Sequence, residues 1–101
     1  MSGYRHTSAW NDENELRCLV IFKQLEEKGF PRGLQTKLCR EMSHVTNLGV
    51  GNISAKVSNY KSVAGVNNES NASTNTIEFY RRYGKLSIPE IQRLIGARSA
   101  L

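Results

Sequence analysis

The side chains best suited to binding another molecule lie in residues 51–62, where amide, hydroxyl and ammonium groups alternate with apolar ones. Ile53, Val57 and Tyr60 recur at the i, i+4 and i+7 spacing of one helix face, which predicts a helix that packs inward along this stripe. The outward positions contain no acid and are Asn52, Ser54, Lys56, Asn59 and Lys61. Because Asn binds adenine edges and Lys binds phosphates, this face predicts contact with nucleic acid.

No residues with the spacing of a catalytic or metal site accompany this segment. The sequence contains no glycine-rich phosphate loop and no Ser-His-acid set, and its nine acids are scattered. The two histidines, His6 and His44, are interpreted as structural or surface residues. Cys18 and Cys39 lack CxxC spacing and are predicted to be buried free thiols. We therefore expect a non-catalytic protein with no metal and no cofactor.

Length and charge indicate the size of the domain and the nature of its partner. A chain of 101 residues is expected to form one domain, with residues 1–9 as a flexible tail and 10–101 as a helical domain. The net charge is +5, and residues 31–101 hold ten Lys or Arg against four acids. This surplus favours a polyanion such as nucleic acid. With no apolar run of 18 residues and no secretory signal, the chain is expected to be cytoplasmic without a membrane partner.

The first predicted helix begins after Trp10. Asp12 is positioned to cap it, and Glu15, three residues on, would complete a capping box. Apolar residues continue at helical spacing to Leu25, and Gly29 is suited to end the helix. The Trp10 ring is predicted to fold back on the first turn and cover one end of the core.

A second helix is predicted from Phe30-Pro31-Arg32 to about His44, because proline suits a first helical turn. Its outer side carries Arg32, Gln35, Lys37 and Arg40 with one opposing acid, and this side suits either a phosphate backbone or solvent. The linker 45–51 contains two glycines and is predicted to turn the chain into the segment 51–62. Two helices and a short turn are the outline of a helix-turn-helix unit, and also of any antiparallel helical hairpin.

The remaining sequence predicts two more helices. A polar loop from Ala64 ends at Ser73, which is positioned to cap a fourth helix over 74–83 that carries Arg81 and Arg82 beside its apolar side. That apolar and aromatic side consists of Ile77, Phe79, Tyr80 and Tyr83. Ser87 to Glu90 form a capping box before a closing helix. The predicted fold is therefore all-α, a small bundle of four to five short helices with a helix-turn-helix-like unit.

The central segment also resembles a known family, the helical domain found ahead of the nuclease domain in bacterial HNH restriction endonucleases. That family has a pattern of roughly S-x-x-x-K-x-x-N-F/Y-x-S, followed by an S-N-A-S-like cap. Lys56, Asn59, Tyr60 and Ser62 match its Lys, Asn, aromatic and Ser positions, and 70–73 reads Ser-Asn-Ala-Ser. The resemblance covers about residues 10–83 and implies a DNA-contacting domain. The HNH ligands do not follow residue 83, so it implies recognition without the nuclease.

These observations favour a non-catalytic DNA-binding domain or small regulator. Its third helix would insert Lys56 and Asn59 into a groove, and the phosphates would be held by Lys61, Lys37, Arg40, Arg81 and Arg82. Asn59 is equally compatible with a hydrogen bond to the polar loop. The alternative function is a protein-interaction module, such as a phage- or mobile-element-encoded inhibitor or assembly factor that docks on a nuclease subunit. It would expose Tyr80, Tyr83 or Phe30. The oligomeric state is left open.

Overall fold

Five α-helices form the protein in a computed structural model, which describes residues 10–66 and 73–99. They are α1 (Asp12–Glu27), α2 (Leu34–Thr46), α3 (Val50–Val63), α4 (Thr74–Tyr83) and α5 (Ile88–Ser99). Within these two ranges no residue belongs to a strand. The predicted all-α bundle is confirmed. The predicted tail 1–9 and the cap residues 70–72 lie outside the described residues.

The helix starts agree with the sequence except at α1 and α2. Ser73 caps α4, because its Oγ accepts from the Thr76 amide at 3.2 Å. The box at α5 is present, with the Ser87 amide donating to Glu90 Oε1 at 2.8 Å. At α1, however, the cap is Asn11, whose side chain accepts from the Asn14 amide at 2.8 Å. The prediction that Asp12 caps α1 is therefore wrong by one residue.

The α2 helix begins later than predicted, because the chain first turns through left-handed backbone. Phe30 has a φ of 55° and Gly33 a φ of 88°, so neither can start an α-helix. The Phe30 amide donates to the Leu25 carbonyl at 2.8 Å, which closes the end of α1. The Phe30 ring then lies 6.1 Å from that of Phe22. This aromatic contact and the two turns delay α2 to Leu34.

The α1 helix lies at the centre of the fold and packs against all four other helices. The α3 helix also packs against α2 and α4, while α5 packs mainly against α1. Ile53, Val57 and Tyr60 are fully buried, which confirms the predicted inward stripe of α3. The outer face of α3 consequently lies between α2 and α4. Gln35, at the start of α2, contacts Ser54, Ser58 and Lys61 of α3, so the two helices pack against each other. That packing is common to helical hairpins and does not confirm a helix-turn-helix unit.

The burial of several side chains can be compared with what the sequence predicts. Trp10 is half-buried and packs against the core, as predicted. Cys18 and Cys39 are buried, and this burial raises the pKa of both thiols. Ile77 is 47% exposed, so its predicted place on the apolar side of α4 is wrong, whereas Phe79 is buried. No described helix is both long and apolar enough to span a bilayer.

Candidate nucleic-acid interface

Lys56 does not project from α3 into solvent. Its Nζ lies 2.8 Å from Glu15 Oε1, and the Lys56 side chain is only 15% exposed. The same Nζ donates to Thr76 Oγ1 at 3.2 Å and Ser73 Oγ at 3.4 Å, and it lies 5.1 Å from the centre of the Trp10 ring. The prediction that Lys56 projects into a groove is therefore wrong. Its ammonium joins α1, α3 and the start of α4.

Glu15 explains the position of Lys56. The Glu15 side chain is completely buried, and its second carboxylate oxygen accepts a hydrogen bond from the Tyr60 hydroxyl at 2.7 Å. A buried carboxylate is costly unless it is paired and hydrogen-bonded, so it holds Lys56 and Tyr60 in place. The sequence contained a signal for this role. Glu15 precedes Cys18 and Leu19 by three and four residues, so it continues the core stripe of α1.

Ser54 and Lys61 are tied to α2 through one glutamine. Gln35 Nε2 donates to Ser54 Oγ at 2.9 Å and to Ser58 Oγ at 3.2 Å. Lys61 Nζ donates to Gln35 Oε1 at 3.0 Å and lies 5.6 Å from the centre of the Phe30 ring. Gln35, which the sequence places on the outer side of α2, in fact faces α3. Ser54 and Lys61 thus help to hold the two helices together.

Lys61 nevertheless remains at the surface. It is half-buried and lines a small concavity of about 170 Å³ between the end of α3 and the turn before α2. Arg32 and Gln35 line the same concavity. The sequence places Arg32 on the outer side of α2, and the structure shows it exposed in the turn before that helix.

The exposed part of α3 is its N-terminal half. Gly51, Asn52 and Ala55 are exposed, whereas Asn59 is half-buried. These exposed side chains are small and uncharged. The N-cap of α3 is Gly49, which has no side chain to bond the first amides of the helix. The exposed helix surface around Asn52 is accessible to a close partner.

Four of the predicted phosphate contacts are exposed cations on α2 and α4, the two helices beside α3. Lys37 and Arg40 are exposed on α2. On α4, Arg82 is exposed, with its guanidinium 5.9 Å from the Tyr83 ring, and Arg81 forms an i, i+3 ion pair with Glu78 at a side-chain exposure of 72%. The predicted phosphate contacts therefore lie on α2, on α4 and, for Lys61, at the end of α3.

Acidic residues are scarce in this region. Residues 31–66, which span α2 and α3, contain five Lys or Arg and one acid, Glu41. Glu41 lines a groove between α1, α2 and α5, whereas Gln35 of α2 faces α3. The single acid therefore lies on the side of α2 that faces α5. Because Lys56 is bound to the buried Glu15, the positive charge of this surface comes from the other four cations, Arg32, Lys37, Arg40 and Lys61.

The aromatic residues expected to form an exposed protein-docking patch pack inward. Phe30, Tyr80 and Tyr83 are partly buried against the core, and the Tyr80 ring lies 6.1 Å from that of Phe22. Over residues 10–66 and 73–99, no cluster of three His, Cys, Asp or Glu side chains is placed to hold a metal ion. Comparisons of the chain with protein-family models, curated proteins and solved structures find no match. The resemblance to the HNH-associated domain stays a prediction.

Proposed function

We propose that this chain is a non-catalytic DNA-binding domain that contacts the duplex with the outer face of α3 and the cations beside it. The observation that carries the proposal is the charge of the α2 and α3 surface. Besides the paired Lys56, four Lys or Arg of residues 31–66 accompany a single acid, Glu41, which lines the groove beside α5. Phosphate neutralisation supplies much of the affinity of DNA-binding proteins, so a surface of this kind suits a duplex.

In this proposal the N-terminal half of α3 approaches the groove. Recognition helices contact base edges mainly with their first residues, and here these include the exposed Asn52. Asn is the side chain that pairs with adenine through two hydrogen bonds. Gly51 and Ala55 beside it are small, which allows close approach. The first amides of α3 are suited to a phosphate oxygen.

The phosphate contacts in this proposal come from α2, α4 and the end of α3. Lys37 and Arg40 are the exposed cations of α2, Arg81 and Arg82 those of α4, and Lys61 lies at the end of α3. Lys56 has a different role, since its ammonium is bound to Glu15. It positions α3 and makes no contact with DNA. Ser54 likewise positions α3 through Gln35.

A salt titration with duplex DNA tests the proposal. Binding of the purified chain to a labelled random-sequence duplex is measured by fluorescence anisotropy at several salt concentrations. With roughly 3 to 6 phosphates neutralised, log K against log salt should have a slope of about −3 to −5. An absence of binding at micromolar protein in low salt, or an affinity insensitive to salt, would overturn the proposal and favour the protein-interaction module.

A further inference from the structure

A groove lies on the side of the bundle where α2 faces α5. It has a volume of about 310 Å³, its floor comes from α1, and its walls come from α2 and α5. Its apolar lining consists of Val20, Ile21, Leu38, Met42, Val45 and Ile95. Val45 is 71% exposed, the largest value among the exposed large apolar residues of ranges 10–66 and 73–99. An exposed apolar side chain beside an apolar groove is typical of an interaction surface.

The polar lining of the groove is complementary to itself. Among the described residues, it consists of Arg17, Gln24, Glu41 and Gln92. Each amide can both donate and accept hydrogen bonds, and the one arginine is matched by one glutamate. A two-fold interface brings the same patch of both subunits together, so that residue i meets j and j meets i. Every polar group of this groove therefore has its complement in a second copy of the groove.

Charge also favours a second copy at this position. The chain carries a net charge of +5, so two copies repel each other over most of their surfaces. Among the described residues, the charged groups that line the groove are Arg17 and Glu41, which sum to zero, and neither Lys37 nor Arg40 lines it. A polyanion finds no surplus of cations in the groove. Two copies of the chain, by contrast, can approach there without like-charge repulsion.

We propose that this groove joins two copies of the chain across a two-fold axis. Val45 of each copy packs into the groove of the other, and Arg17 of each copy faces Glu41 of the other. Arg17 Nη1 donates to Asn14 Oδ1 at 2.7 Å and lies 3.3 Å from Glu13 Oε2, with side-chain exposures of 26% for Arg17 and 23% for Glu13. A guanidinium carries five N–H donors, so Arg17 can keep these contacts and also meet a second acid. The pairing leaves the outer face of α3 accessible in both copies.

Sedimentation equilibrium of the full chain over a range of concentrations tests this pairing. The mass should rise with concentration from 11.4 kDa to twice that value. Arg17→Glu and Glu41→Arg should each weaken the dimer at least about tenfold, because like charges then face each other. Val45→Asp should do the same. Lys85→Glu is the control, since it reverses an exposed charge that does not line the groove.

A mixture of the two charge-reversal variants makes the test specific. In the mixed dimer, one copy presents two acids and the other presents two arginines at the facing positions, so a mixture of Arg17→Glu with Glu41→Arg should regain the dimer. Circular dichroism of each variant checks that it is folded. A wild-type chain that stays monomeric, reversals that leave the dimer intact, or a mixture that stays monomeric would each overturn the proposal.

Discussion

Lys56 and Lys37 carry the same ammonium group on neighbouring helices, but their surroundings are opposite. Lys56 is 15% exposed and bound to the buried Glu15, whereas Lys37 is exposed on the outer side of α2. The difference comes from what each helix packs against, because α3 lies between α1 and α4 and meets a buried acid there. A cation in a basic region can therefore serve either the fold or a partner.

The largest effect that tests this comparison is on stability. Lys56→Met leaves Glu15 buried without its cation, so the free energy of unfolding should fall by about 3–5 kcal/mol. Lys37→Met, the same change at an exposed site, should alter it by no more than about 0.5 kcal/mol. Urea unfolding followed by circular dichroism measures both.

A double variant separates the ion pair from simple loss of packing. Glu15→Met combined with Lys56→Met removes both charges, so it should be more stable than Lys56→Met alone. If Lys56→Met and Lys37→Met changed the free energy of unfolding by the same amount, the structural role of Lys56 would be contradicted.

The second effect is on DNA binding, which should depend on the exposed cations of α2 that contribute little to stability. Lys37→Ala and Arg40→Ala should each make the salt slope less negative by about 1, because each removes one phosphate contact. Arg93→Ala is the matched control, since Arg93 is exposed on α5, which packs mainly against α1. Anisotropy titrations at several salt concentrations measure the slope. A slope that responds equally to all three variants would place the DNA elsewhere on the surface.

Lys61 has an intermediate position and should show a smaller effect on stability than Lys56. It is half-buried and donates to Gln35 at 3.0 Å. Lys61→Met should lower the free energy of unfolding by about 0.5–1.5 kcal/mol. The sum of the losses from Lys61→Met and Gln35→Ala should exceed the loss in the double variant, because both remove one contact. Strict additivity in urea unfolding would show that the contact contributes nothing.

The smallest effect concerns Glu90, the exposed counterpart of Glu15. The hydrogen bonds from Ser87 hold the pKa of Glu90 below its usual value of 4.5. A carboxyl group with a lowered folded pKa stabilises the protein above its unfolded pKa, and this contribution disappears as the pH falls through the folded value. Glu90→Gln should therefore melt slightly lower than the wild type at pH 7 and match it at strongly acidic pH. A constant difference in melting temperature would contradict the assignment.

The two predicted capping boxes show how far sequence reasoning reaches. Asp12 to Glu15 and Ser87 to Glu90 have the same spacing, yet only Glu90 bonds back to the start of its helix. Glu15 lies on the core stripe of α1 and is completely buried. At α5, where Glu90 is exposed, the local sequence pattern correctly predicted the hydrogen bond of the capping box. At α1 the packing of α3 against α1 determined the outcome.

The sequence by itself determined the five helices, the caps at Ser73 and Ser87 and the inward stripe of α3. These features depend on residues within one or two turns of one another, so their spacing is visible in the chain. The tertiary structure alone decided that Lys56 turns inward and that Gln35 faces α3. The contacts responsible join residues that are far apart along the chain. Tyr60 and Glu15 are separated by 45 positions, and Gln35 and Ser54 by 19. Such contacts exist only once the helices have packed, because no local spacing specifies which buried acid a lysine will meet.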